Sequence, residues 1–249
     1  MIEYKSEFIE LVKECHSAYI GYGNPNSKIL IIGKEAAIEP GSEQHIREIV
    51  KNSEQWKHNI DNQIQPNDIK PGAFNPLYPY QDGPFKKSAT SSTWYYYQKL
   101  FNLIKKKDTG KIDFLGKCFI TEFNENSAKK SNDNPRKVIE ESISKRKELF
   151  KKTYFQEFPI IIVACAHYVK DYNIDLQDIF GVEWKQPTID DKILPTIGKQ
   201  KWINVHYQKE GGSPKLLIHT NQFSIVSDVL LIEIARICQE FIYLHNIIL

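Results

Sequence analysis

Lys28-Ile29-Leu30-Ile31-Ile32-Gly33-Lys34-Glu35-Ala36-Ala37 places four aliphatic side chains in a row, stops them at a glycine and sets a carboxylate two positions beyond. An uninterrupted apolar run of this length, rich in isoleucine, predicts a strand buried on both faces, the signature of a parallel sheet. In open α/β sheets the chemistry sits in the crevice at the carboxyl ends of the strands, which is where Glu35 falls.

The surrounding chain supports that reading. Ser6 to Ile20 carries Phe8, Ile9, Leu11, Val12, Cys15, Ala18 and Tyr19 at helical spacing and ends at Gly21 and Gly23, predicting an entry helix. Residues from Pro40 to about Trp56 fit a polar helix with Ile46, Ile49 and Val50 as a thin apolar face. From Asn59 to Ser92 no period is visible and Pro, Gly, Asn and aromatics dominate. An irregular stretch this long inside a compact domain is commonly functional, so Phe74 to Tyr80 and Gly83-Pro84-Phe85 are expected pocket walls. Ser92 is placed to cap a helix bearing Trp94, Tyr97, Leu100, Phe101 and Ile104. Lys117 to Phe123 predicts a second strand. Asn134 as N-cap and Pro135 at the first helical position open a helix to about Tyr154. Phe158 to Ala166 predicts a third strand and Lys215 to Thr220 a fourth, with shorter strands possible at Phe180 to Trp184 and Trp202 to Tyr207. Ser227 caps a last apolar helix through Tyr243. Strands alternating with helices imply an α/β fold, a three-layer α/β/α sandwich around a mostly parallel four-stranded sheet. Residues 1–249 are expected to form one domain with a long irregular insertion at about 40–92.

Composition narrows the function classes. A formal charge of +2 over 249 residues makes any nucleic-acid contact a local patch rather than a property of the whole surface. Cys15, Cys118, Cys165 and Cys238 are far apart and mostly within apolar segments, as in a reduced cytoplasmic protein. The start of the chain lacks a secretory pattern, and the run Ile160 to Ala166 is too short to span a bilayer, so a protein without membrane contact is expected. His45, His167 and His206 have no metal-ligand spacing, and neither metal nor cofactor is expected. Dinucleotide, phosphate-loop and esterase-elbow motifs do not occur.

Two strand ends carry chemistry-bearing residues: Gly33-Lys34-Glu35-Ala36-Ala37 after the first, and His219-Thr220-Asn221-Gln222-Phe223-Ser224 at the fourth. In this layout the chain resembles the uracil-DNA glycosylase superfamily, whose motifs in one branch read Gly-Gln-Asp-Pro-Tyr and His-Pro-Ser-Pro-Leu-Ser after the first and last strands. The resemblance spans roughly residues 20 to 240 and also takes in Phe-Ile-Thr-Glu, Asn-Pro-Arg and Ile-Ile-Val-Ala-Cys-Ala. It implies that Glu35 stands where the family's water-activating residue stands, and His219 where a histidine hydrogen-bonds the base carbonyl. Phe223 would be the wedge that fills the hole left by a flipped base. Ala36 and Thr220 replace prolines of the family's loops. Ala37, in place of tyrosine, would not exclude a thymine methyl group.

The implied function is DNA repair by base excision: a hydrolase, acting as a monomer, that cleaves the N-glycosidic bond of a deaminated or damaged base in DNA. The alternative is a non-catalytic nucleic-acid or nucleotide-binding protein of the same fold. A third possibility is a hydrolase acting on another glycosidic or nucleotide substrate through Glu35 and His219. Such cleavage builds positive charge on the sugar and negative charge on the base, which Glu35 and His219 would offset. Base flipping needs an aromatic floor, for which Phe74 and Phe85 are candidates. Either Asn124 or Glu122, at the second strand's end, would read the base edge; Asn124 is preferred because its amide both donates and accepts. DNA phosphates would meet Lys34, Ser88, Thr90, Ser91, Lys129, Lys130, Asn221 and Ser224.

Overall fold

Ile29–Gly33 is wholly buried, and its hydrogen-bonding edges are both taken by parallel neighbours, which explains why its sequence shows no polar alternation. The computed structural model describes residues 3–15, 19–70, 72–79, 83–89, 91–130, 133–185, 202–209, 211–224 and 226–249. The strands are β1 (Tyr22–Gly23), β2 (Ile29–Gly33), β3 (Phe119–Glu122), β4 (Ile160–Val163), β5 (Val182–Lys185), β6 (Ile203–Gln208) and β7 (Leu216–Thr220). They form one seven-stranded mixed sheet in the order β1-β3-β2-β4-β7-β6-β5.

The four strands expected from the sequence are the parallel centre, β3-β2-β4-β7. The expectation of a four-stranded sheet is corrected by antiparallel additions at both edges, β1 on β3 and the β6-β5 pair on β7. β5 and β6 fall on the short strands expected at Phe180 to Trp184 and Trp202 to Tyr207, whereas the two-residue β1 was not expected. In β5 only Val182 is buried, while Glu183, Trp184 and Lys185 face outward, the charged pattern that protects a sheet edge.

The longer helices are α1 (Ser6–Glu14), α2 (Asn52–Asp61), α3 (Ser92–Lys105), α4 (Arg136–Phe150) and α5 (Asp228–Leu244). Strand alternation assigns them to two cores. Ile29 and Ile31 face Leu100 and Phe101 of α3 and Leu230 and Ile234 of α5. Leu30 and Ile32 belong with Phe8 of α1, Trp56 of α2 and Ile139 and Phe150 of α4. Helices therefore cover both sheet faces. Among the described residues no helix is long and apolar enough to cross a membrane.

Helix boundaries depart from the sequence reading at several places: α1 ends at Glu14 short of Ile20, and α4 ends at Phe150, with Tyr154 in a separate helical turn, Thr153–Gln156. Ser91, not Ser92, caps α3, its Oγ accepting from Trp94 N at 3.2 Å. Asn134 does not cap α4; it donates to the carbonyls of Asn126 and Ser127 and ties down the loop after β3. The helix expected from Pro40 to Trp56 is broken: a turn at Glu43–His45 runs into a π-helical turn at Ile46–Val50, closed by Lys51 N donating to Ile46 O at 3.1 Å, and α2 starts only at Asn52. Ile46 and Val50 are thereby left exposed, and Ile49 alone points into the core.

Buried polar groups lock the parallel centre to its helices. Asn52 accepts from Ile20 N and Gly21 N and donates to Gly21 O, which also accepts from Trp56 Nε1. Gly21, at φ +150°, passes so near β3 that a Cβ would lie 2.3 Å from Ile120 O. Arg146 on α4 is a buried cation that donates to Tyr19 O at 2.7 Å, Glu122 O at 2.9 Å and Thr121 Oγ1, with its guanidinium 5.0 Å from the Phe150 ring centre. Replacing it with an apolar residue strands three buried acceptors, each worth roughly 1–3 kcal/mol. Arg146→Leu is therefore expected to lower the unfolding free energy by about 3 kcal/mol or more in urea titrations; a change within experimental error would show that the acceptors find other partners.

Candidate functional site

At β2 the strand order reverses, since β3 lies on one side and β4 on the other, so a crevice opens where their carboxyl ends part. A cavity of about 950 Å³ occupies it. Its floor is made by strand ends, Gly33 to Glu35 after β2, Glu122 of β3 and Ala164 after β4, with Gln222 beyond β7. Trp94 and Tyr97 of α3 form one wall. The insertion forms the other with Gln44, Arg47, Glu48 and Phe74. The π-helical turn supplies the Arg47–Glu48 ion pair at 2.7 Å, and Arg47 lies 5.4 Å from the Phe74 ring centre. Wider turns of this kind re-aim side chains and recur at functional sites.

Glu35 sits at the cavity margin, where its Oε2 accepts a short hydrogen bond from the Tyr168 hydroxyl. Tyr168 begins the helical turn after β4, and Lys34 lies 5.1 Å from its ring centre. Burial and then the Glu35 hydrogen bond push the Tyr168 hydroxyl far above the usual phenol range, so it remains a donor.

Glu122 lines the cavity from β3. It pairs in parallel register with Gly33, and its carboxyl fills the space above that glycine: a Cβ at position 33 would lie 2.1 Å from Glu122 Oε2. The glycine read in the sequence as a strand stop is thus required for close approach. Glu122 Oε2 is buried without a hydrogen-bond partner among the described residues. Desolvation first, and the Glu35 charge second, push its carboxyl up to about 8, against the opposing pull of Arg146. At neutral pH Glu122 is a protonated acid that both donates and accepts.

His219 lies elsewhere. Strand alternation puts it on the Leu217 face of β7, the opposite face from that to which Ile120 and Glu122 belong. Its Nε2 is 2.9 Å from Ala166 O, and its ring lies 4.5 Å from that of Trp202. Burial holds its imidazole down at about 4, so it is neutral, and the carbonyl acceptor requires Nε2 to carry the proton. Ala166 adopts a left-handed φ of +51°, unusual for a residue other than glycine, and this conformation presents its carbonyl to His219. Glu35 and His219 therefore hold the same loop, Cys165 to Tyr168, from two sides, and Glu35 alone of the two lines the cavity.

The other expected site residues divide likewise. Lys34 and Phe74 line the cavity. Phe85 instead stacks on Tyr95 at 4.9 Å. Asn124 is buried behind the floor, its Oδ1 accepting from Asn126 N at 3.1 Å, and it lies close enough to Tyr168 to lower that hydroxyl's pKa. Phe223 is fully buried with its ring 5.5 Å from Tyr97. Ser88, Lys129 and Lys130 are exposed, with Lys129 3.5 Å from Glu39. Asn221 accepts from Trp202 N at 3.0 Å, and Ser224 is half-buried. Ser91 lines the cavity; Thr90 and Tyr80 lie outside the described residues.

Tyr168 was legible on the same grounds as Glu35, as a polar group just past a buried strand. Arg47 and Glu48 carried no such signal, because a regular helix would have aimed them differently. Among the described residues no group of three or more His, Cys, Asp or Glu side chains is placed to hold a metal ion. No protein-family model matches the chain, and no curated protein matches it.

The raised Glu122 carboxyl has a consequence for stability. Between the ordinary glutamate range and about 8 the folded chain keeps a proton that the unfolded chain releases. Stability from this group is full below that range and is lost as pH rises through it. Glu122→Gln is expected to match the wild type in acid and to gain on it progressively up to about pH 8 in chemical denaturation. A difference independent of pH would mean that Glu122 titrates normally.

Proposed function

We propose that this chain is a divergent uracil-DNA glycosylase-like protein that hydrolyses the N-glycosidic bond of a deaminated or damaged base, with Glu35 as the catalytic carboxylate. The observation that carries the reading is Glu35 held by the Tyr168 hydroxyl at the margin of an aromatic-walled cavity, at the switch point of a parallel sheet. A carboxylate so placed offsets charge developing on a sugar and orients a water, while Phe74, Trp94 and Tyr97 give the cavity an aromatic lining suited to a base. A parallel four-stranded centre with helices on both faces supports the resemblance.

In this reading Phe74 is the stacking residue and His219 a positioning residue, steadying through Ala166 O the loop that carries Tyr168. Lys34, Lys129, Lys130, Ser88, Asn221 and Ser224 meet phosphates.

A second reading, a nucleotide- or nucleic-acid-binding protein without hydrolysis, is favoured by Phe223. Its burial against Tyr97 keeps it from entering a base stack in this conformation.

Oligonucleotides containing uracil, hypoxanthine or a G·U mismatch, scored for abasic sites, separate the two. Cleavage is expected, reduced about 10²- to 10³-fold in Glu35→Gln, the scale on which a preorganised electrostatic group contributes. Binding that weakens steeply with salt, without abasic product at protein excess, would select the second reading.

A further inference from the structure

Three glutamates line the cavity, Glu35, Glu48 and Glu122; Glu48 is ion-paired with Arg47, and hydrolysis through Glu35 alone leaves Glu122 unused. Three features of Glu122 have no structural purpose in the apolar core. Its Oε2 is buried without a hydrogen-bond partner among the described residues, a costly state for a polar atom. Its space exists only because position 33 is glycine. Finally, it faces the same cavity as Glu35, from the neighbouring strand, with the aromatic residues Tyr97 and Trp94 opposite. A buried oxygen that lacks a partner and borders a cavity is suited to pair with a group of the ligand.

We infer, resting on the glycosidase reading, that Glu122 is a second catalytic residue: the general acid that protonates the departing base while Glu35 serves the attacking water. In the balanced step the bond between C1′ and the base nitrogen breaks and its electron pair leaves with the base. The Glu122 carboxyl proton passes to a nitrogen or carbonyl oxygen of that base. Water oxygen bonds to C1′, and its released proton goes to Glu35. Glu122 ends ionised and Glu35 protonated, and exchange with water restores both. No oxidant, reductant or co-reactant other than water is needed. The favoured substrates are those whose base leaves poorly as an anion and offers an acceptor to an acid, and the role needs no aromatic wedge.

The charged and titratable groups around Glu122 come from every element packed on it. Glu35 follows β2, Arg146 comes from α4, Tyr19 precedes β1, Tyr97 is on α3, Cys165 follows β4, and the Arg47–Glu48 ion pair lines the same cavity from the π-helical turn. Glu35 favours the protonated acid and Arg146 opposes it, with desolvation the largest influence. The two tyrosines and the cysteine are themselves pushed up by burial and stay neutral, so they leave the charge balance unchanged.

The test is a pH–rate profile for wild type and Glu122→Gln on oligonucleotides carrying uracil and the more acidic leaving group 5-fluorouracil. The wild type should lose activity as pH rises through about 8. Glu122→Gln should lose roughly 10²- to 10⁴-fold with uracil, much less with 5-fluorouracil, and should lack the alkaline limb. Glu122→Asp should restore part of that limb. Difference infrared spectra of the unliganded proteins check the acid directly: a protonated carboxyl band present in the wild type at neutral pH and missing in Glu122→Gln is expected. An active wild type with no alkaline limb, an equal loss on both substrates, or no protonated carboxyl overturns this inference and leaves the glycosidase reading standing. A wild type inactive on every substrate overturns both.

Discussion

The central strand β2 is buried on both faces and hydrogen-bonded on both edges, and the positions of the other elements follow from it. Its alternate side chains define the two cores, so each helix is assigned to a face by whether it meets Ile29 and Ile31 or Leu30 and Ile32. Its two parallel neighbours leave it in opposite directions along the sheet, and their divergence opens the crevice. The site is thus a product of topology before any side chain is considered. The insertion at about 40–92 converts the open crevice into a cavity by adding a wall, and its broken helix follows from the same demand. A regular helix through Ile46 to Val50 would present an unbroken stripe, whereas the wider turn brings Arg47 and Glu48 to the cavity while keeping Ile49 in the core.

Much of this was legible in the sequence because continuous apolar runs have few alternatives. Ile29 to Ile32, Ile160 to Val163 and Leu216 to Ile218 mark strands with both faces covered, and they are the parallel centre. The edge strands were less legible because pairing there depends on a neighbour rather than on local pattern; Tyr22–Gly23 is two residues long and exists as a strand only because β3 lies beside it. The candidate site was legible at Glu35, where a polar group follows a buried strand. Glu122 was a strand-end candidate and Tyr168 follows a buried strand as Glu35 does, but that the three come together was not legible, since they approach one another across the sheet and not along the chain. His219 shows the limit of a strand-end argument. The residue stands at the expected end of β7, but alternation turns it toward the Leu217 face.

Arg146 and Glu122 show how a buried charge and a buried acid are tolerated on neighbouring elements. Arg146 is satisfied by two carbonyls and a hydroxyl and needs no carboxylate. It takes the main-chain oxygen of Glu122, fixing that residue's backbone, while the side chain projects from the other face of β3. The guanidinium thus positions the acid without forming an ion pair with it. A direct pair would hold Glu122 ionised and leave it unable to donate.

Burial and hydrogen bonding also distinguish Glu35 from Glu122 in the cavity. Two carboxylates in one poorly solvated space resist double ionisation, and the proton settles on the one whose surroundings solvate charge least. Glu35 receives a hydroxyl donor from Tyr168, whereas Glu122 Oε2 receives none among the described residues and lies over the bare Cα of Gly33. Tyr168 donates to one carboxyl and Gly33 makes room for the other, so two neighbouring residues set the different surroundings of the two acids. The glycine that ends β2 is therefore as much a part of the site as the carboxylate two positions beyond it.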